Sequence, residues 1–158
     1  MGSPANFPPI DTLIPHAAPM VLLDRVLTAD AESMCAEVTI GANTLFCGAQ
    51  GVGAWVGVEY MAQAIAAHAG YAAQLRGDPV KIGFLLGARR YDCSRAWFTV
   101  GSVLHVHVKR TLQGDNGLGA FECHIDDAHQ VDGAPAAKAI ITVFQPDNVA
   151  DFLQSLAE

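Results

Sequence analysis

One stretch constrains the fold more than any other. Residues 54–76 read AWVGVEYMAQAIAAHAGYAAQLR, contain no proline, are rich in alanine, and run into Gly77, Asp78 and Pro79. Alanine has the best helix propensity, and a glycine followed closely by proline stops a helix. The stretch therefore predicts one long helix over 54–76. Apolar residues fall on nearly every side of it, so it belongs inside the protein, covered by other elements.

The rest of the chain supplies the cover. Strand patterns run over Met20–Thr28 and Ser33–Ile40 before the helix, and over Ile82–Tyr91, Ser102–Thr111, Gly119–Ile125 and Ala136–Phe144 after it. The clearest is SVLHVHVKRT, where Leu104, Val106 and Val108 face one way and His105, His107 and Lys109 the other. Gly114–Gly117 mark a turn. A short amphipathic helix is expected over 147–157, with Val149, Phe152, Leu153 and Leu156 on one side.

Six strands and one apolar helix point to an α+β fold, a curved antiparallel sheet wrapped around the helix, with residues 1–158 as one domain. Small residues along the helix, among them Ala62, Ala66, Ala69 and Gly70, are expected to let the sheet approach closely. A single wrapped sheet leaves an edge strand, and edge pairing between two copies would cover it, so a homodimer is expected. Residues 1–19 carry Pro4, Pro8, Pro9, Pro15 and Pro19 and should lie extended on the surface. The glycine-rich segment 41–53 reads as a loop that could border a site.

Composition sharpens this reading. Hydrophobic residues make up 51% and charged residues 16% of the chain, so there is much apolar surface to bury, in a core, a partner or around an apolar ligand. A net charge of −7 argues against nucleic acid and anionic membrane surfaces as partners. No apolar run is long enough to span a bilayer, and the first residues lack the pattern of a secretory signal. Cys35, Cys47, Cys93 and Cys123 form no CxxC pair, so reduced thiols and a cytoplasmic location are expected.

Glu59 is the conspicuous ionisable residue. It stands early in the apolar helix, and a lone buried carboxylate needs a reason. One reading makes it a general acid or base whose pKa burial raises; the other has it cap an amide or pair with an arginine. Gln63, four residues on, shares its face and can orient it. Amides near Gly53 and Ala54, at the expected helix start, are candidate donors to a thioester carbonyl as it becomes enolate-like.

His16 reads first as a structural histidine pinning the N-terminal segment, and second as an acid/base group. His68 lies nine positions after Glu59, about 180° around the helix, and reads as a core histidine. His105 and His107 have a metal-ligand spacing, but a solvated polar face is the simpler reading, and no metal or cofactor is expected. Arg89, Arg90 and Arg95 form either a contact for an acidic carrier or phosphate, or a solvated rim.

Three stretches resemble the hot-dog-fold 3-hydroxyacyl-acyl-carrier-protein dehydratases, with details closest to the branch associated with aryl-polyene-type biosynthesis. These are LIPHAAPMVLLDRV (13–26), GVEYMAQAIAAHAG (57–70) and GFLLGARRYDC (83–93). The resemblance implies a sheet wrapped around a central helix, a dimer with sites at its interface, and an acyl carrier protein or coenzyme A thioester as partner. It places the acidic catalytic position on Glu59, the supporting glutamine on Gln63 and the helix-start amide on Ala54. His16 matches the opening motif, which in the family is separate from the catalytic histidine. The chain departs from the pattern in one respect: the family's loop histidine before the helix falls at Leu45, and no histidine occurs from 41 to 58.

The expected function is therefore dehydration of a 3-hydroxyacyl thioester centred on Glu59, with His16 as the residue that could replace the missing histidine. The alternatives are a hot-dog thioesterase, in which Glu59 activates water, and a non-catalytic subunit that binds an acyl carrier.

Overall fold

The computed structural model describes residues 6–80, 83–130, 134–146 and 149–157. The first five residues of the proline-rich segment, the expected strand start at Ile82 and the first two positions of the tail helix lie outside the described residues.

A six-stranded antiparallel sheet curls around one helix. Its strands are β1 (Arg25–Ala29), β2 (Ser33–Thr39), β5 (Phe84–Cys93), β7 (Val103–Gln113), β8 (Leu118–Asp127) and β9 (Ala137–Phe144). Their order across the sheet is β1-β2-β7-β8-β9-β5. A small second sheet joins β3 (Cys47–Gly48), β4 (Gly51–Gly53) and β6 (Trp97–Phe98). The segment expected to be all loop thus contains two short strands, because β6 gives β4 a ladder partner.

The central helix α1 spans Gly57–Arg76, preceded by a single 3-10 turn at Ala54–Val56. It ends where expected: Gly77 adopts φ 77°, the left-handed cap that glycine takes without penalty, and its amide bonds back to the last turn. The alternating strand behaves as read, with Leu104, Val106 and Val108 buried against the helix side. Together with Tyr60, Met61, Ala64, Ile125 and Ile141 they form the centre of the core. This is the hot-dog arrangement. The tail helix α2 occupies Val149–Ala157. No described helix is long and apolar enough to cross a membrane. The four cysteines are free thiols.

The N-terminal segment departs from expectation. Its described prolines do lie exposed or half-buried at the surface, but Ile10, Leu13 and Ile14 are buried in the core, with a 3-10 turn at Ile10–Thr12. The prolines set the bends, but the apolar residues between them drive burial. Gly70 makes this possible, because a Cβ there would sit on the Leu13 carbonyl oxygen. Gln74 Nε2 donates to Thr12 O at 2.9 Å and the Phe7 and Tyr71 rings meet edge to face, so a little over one turn of α1, from Gly70 to Gln74, grips the segment. The first strand begins only at Arg25, not at Met20, because the backbone at 20–22 is bonded to a helix side chain instead of a neighbouring strand.

Candidate functional site

The site begins with Gln63. Its side chain is fully buried, so its polar atoms must find protein partners. Its Nε2 donates to Met20 O at 2.6 Å and to Glu59 Oε1 at 3.1 Å, while its Oε1 accepts from Leu22 N at 2.9 Å. One amide thereby ties the chain at 20–22 to the helix and holds the Glu59 carboxylate one turn below. The i, i+4 spacing read from the sequence produces this contact directly.

The same tie brings His16 to the carboxylate. His16 Nε2 lies 3.5 Å from Glu59 Oε1, within one chain. The two side chains are 29% and 34% exposed, so the carboxylate is not the buried, isolated group expected from its surroundings in sequence. The physical reason is the inward fold of residues 10–16, which delivers a partner and leaves both groups facing a cavity. His16 Nδ1 is buried without a hydrogen-bond partner, and Nε2 is the nitrogen that faces Glu59.

The cavity, about 250 Å³, starts at Pro15, His16 and Glu59 and follows one face of α1 through Ala62, Ala66, Ala69 and Ala72 to Arg76. From Glu59 to Arg76 the helix rises roughly 25 Å at about 1.5 Å per residue. Small side chains along this face, expected to admit the sheet, leave room instead. Leu85, Phe121 and Val143 form part of the opposite wall, and Arg76, Arg110, Gln113 and Gln145 surround its other end. The outcome is an elongated cavity, alanine-lined along the helix and polar at both ends, with a carboxylate–imidazole pair at one of them. The wall residues from the strands were not read from the sequence, because only the curl of the sheet brings them over this helix face.

His68 also lines the cavity, although it lies on a different side of α1 from Glu59, because the channel wraps partly around the helix. Its Nε2 is 3.0 Å from Asp30 O, a contact in which the ring must donate. It is a satisfied core histidine, as read.

The expected amide donor at Ala54 requires correction. Its N–H donates to Ala96 O at 3.0 Å and its carbonyl accepts from Tyr91 Oη, so neither group is open to a ligand. Ala54 opens the 3-10 turn directly after β4, where Ala96, the residue before β6, is within reach of its amide. Gly53 leaves space for the neighbouring Trp55 indole, which a Cβ would strike.

The arginines separate. Arg95 is committed to structure: Nη1 donates to Asp127 Oδ2 at 2.9 Å and Nη2 to Gln130 Oε1 at 2.7 Å. It is therefore not a free docking cation. Arg89 and Arg90 are exposed on β5, with Arg90 at a bulge and φ 54°.

Residues 8–154 match the sequence profile of the ApeP dehydratase family. A search of curated proteins by sequence found no match. Among solved structures, a chain of the dehydratase heterocomplex ApeI:P from Xenorhabdus doucetiae superposes with a TM-score of 0.87 at 29% identity, covering 97% of this chain and 100% of that one. Zebra fish thioesterase superfamily member 2 superposes with a TM-score of 0.61 at 11% identity, over 83% of this chain and 86% of that one. A hypothetical thioesterase with coenzyme A from Streptococcus pneumoniae gives 0.58 at 13% identity, over 77% and 84%. The two thioesterase likenesses show the shared hot-dog fold alone.

Proposed function

The chain belongs to the ApeP dehydratase family, and from that premise we propose that it removes water from a 3-hydroxyacyl thioester using His16 and Glu59. The observation that carries this is the 3.5 Å approach of His16 Nε2 to Glu59 Oε1 at the end of an elongated, partly alanine-lined cavity. Dehydration needs one group to take the α-proton and another to protonate the departing hydroxyl. His16 Nε2 takes the α-proton, the C–H electron pair becomes the new Cα=Cβ bond, and the Glu59 carboxyl group gives its proton to the hydroxyl, which leaves as water. Transfer of the proton from His16 to Glu59 across the same gap restores the starting state. Gln63 holds Glu59 during this cycle and does not itself touch the substrate.

In this reading His16, supplied by the N-terminal segment, takes the part of the loop histidine that the chain lacks. The acyl chain lies along Ala62, Ala66 and Ala69, and the thioester belongs to an acyl carrier protein or coenzyme A. Docking rests on Arg89 and Arg90. The channel is bordered by Gly83 and Leu85 next to and on the outermost strand β5, whose outer edge has no ladder partner among the described strands. Pairing of that edge with a second hot-dog chain would wall the channel. The Xenorhabdus neighbour is part of a heterocomplex, so the second chain is either another copy or a different hot-dog subunit.

The test is incubation of the full chain with a 3-hydroxyacyl carrier thioester. Formation of the unsaturated thioester by loss of one water, without free thiol, supports dehydration. Release of free thiol makes it a thioesterase. Binding of the acylated carrier with no turnover, alone or with a partner chain, makes it a carrier-binding subunit.

A further inference from the structure

A second set of chemically competent side chains lies on the outer face of the sheet, on the strands' opposite side from the buried Val106, Val108 and Ile125. His107 on β7 and His124 on β8 are direct cross-strand partners, and Asp126 follows His124 by two residues, on the same face. Asp126 Oδ2 lies 3.3 Å from His107 Nε2 and 3.4 Å from His124 Nε2. The three ligand atoms all fall within 4.8 Å of one another. Tetrahedral zinc with metal–ligand bonds of about 2.0–2.1 Å has ligand–ligand edges of about 3.3–3.4 Å. Two of the three edges thus already have the required length.

From this geometry we propose that His107, His124 and Asp126 form a divalent zinc-type site with two imidazoles, one carboxylate and an open position for water. The donor set is the nitrogen and oxygen mixture that zinc accepts. All three side chains are partly exposed, and His124 and Asp126 border a groove with Glu122 and Lys138, which gives an ion access. The imidazoles are stacked, with centroids 4.3 Å apart and planes 10° apart. Lone pairs lie in the ring planes, so one ring turns about its Cβ–Cγ bond when the ion binds, and the stack opens.

The Cys35 thiol on β2 is 3.8 Å from His107 Nε2 and directly across the ladder from it. Cys35 is buried and is not one of the three converging ligand atoms, so water completes the shell. His105, the other half of the HxH spacing, is not a ligand, because its Nε2 is 3.1 Å from Glu37 Oε2. The site binds β7 to β8 and is independent of the His16–Glu59 pair.

The experiment is calorimetric titration of the full, tag-free chain with zinc chloride in a non-chelating buffer, with thermal unfolding followed in parallel. The expected result is one ion per chain and a rise in thermal midpoint with zinc. His124→Ala and Asp126→Asn are each expected to weaken binding at least tenfold and remove the midpoint shift, while His129→Ala, an exposed histidine nearby, leaves both unchanged. Histidine ring resonances in the wild type are expected to shift at positions 107 and 124. Absence of saturable binding would overturn the proposal. So would binding that survives His124→Ala and Asp126→Asn, or that is lost in His16→Ala. Circular dichroism of each variant checks that it folds, and the ring resonances of the wild type decide the matter if a variant does not.

Discussion

Replacing Gln63 by leucine tests the site and its support together. Leucine is close in volume and suits a fully buried helix position, so the change removes hydrogen bonds with little loss of packing. It strands the buried Leu22 N–H, at a cost of about 1–3 kcal/mol, and frees the Met20 carbonyl, which is nearer to solvent and loses less. A total of about 2–3 kcal/mol follows, which for a chain of this size lowers the thermal midpoint by roughly 4–12 °C. Activity should fall further than stability explains, because both the Glu59 carboxylate and the segment carrying His16 lose their anchor. The assay pairs thermal unfolding with steady-state dehydration of a 3-hydroxyacyl thioester well below the new midpoint. The expected signature is a lower kcat with a smaller change in KM. A Gln63→Leu protein with wild-type midpoint and wild-type kcat would refute the claim that this amide organises the site.

Three further outcomes are expected. Gly70→Ala drives a Cβ into the Leu13 carbonyl, so it should destabilise by about 1–3 kcal/mol and reduce turnover by displacing His16; unchanged unfolding would show that the segment does not pack there. Ala66→Leu narrows the channel and should cut kcat/KM for long acyl chains about tenfold or more relative to short ones, measured over a chain-length series; equal effects at all lengths would place the acyl chain elsewhere. Burial acts to raise the Asp127 pKa, but the His129 amide and Arg95 outweigh it and hold the carboxyl below its ordinary value. Its contribution is therefore present above the ordinary carboxylate range near about 3.9 and is lost as pH falls through the lowered value. Thermal midpoints measured between neutral and acid pH should fall more steeply for the wild type than for Asp127→Asn, and parallel slopes would contradict this.

The architecture was legible because its strongest determinants are local. Residues 54–76 announce a buried helix through composition and a glycine stop, and 102–111 announce a half-buried strand through alternation. The burial of the N-terminal segment does not show in its sequence because proline spacing dominates its pattern, whereas its fate is set by Ile10, Leu13 and Ile14 meeting a gap at Gly70. Gln63 and Glu59 were legible as a pair because helical spacing alone brings them together. The approach of His16 was not, since it depends on a contact across more than forty residues. Ala54 illustrates the converse: a sound general rule about free helix-start amides fails where Ala96, the residue just before β6, takes the donor. The two histidines of the HxH spacing do share a face, but cross-strand register divides them, sending His105 to Glu37 and His107 to His124.

The central claim is that His16 and Glu59 work as one acid/base unit. The most direct measurement is single-turnover dehydration of a 3-hydroxyacyl carrier by the wild type, Glu59→Gln, His16→Ala and the double variant. Losing either positioned group should slow the step by about 10²–10⁴-fold, and the double variant should be scarcely slower than the worse single one. Wild-type turnover by Glu59→Gln, or single losses that multiply in the double variant, would contradict it.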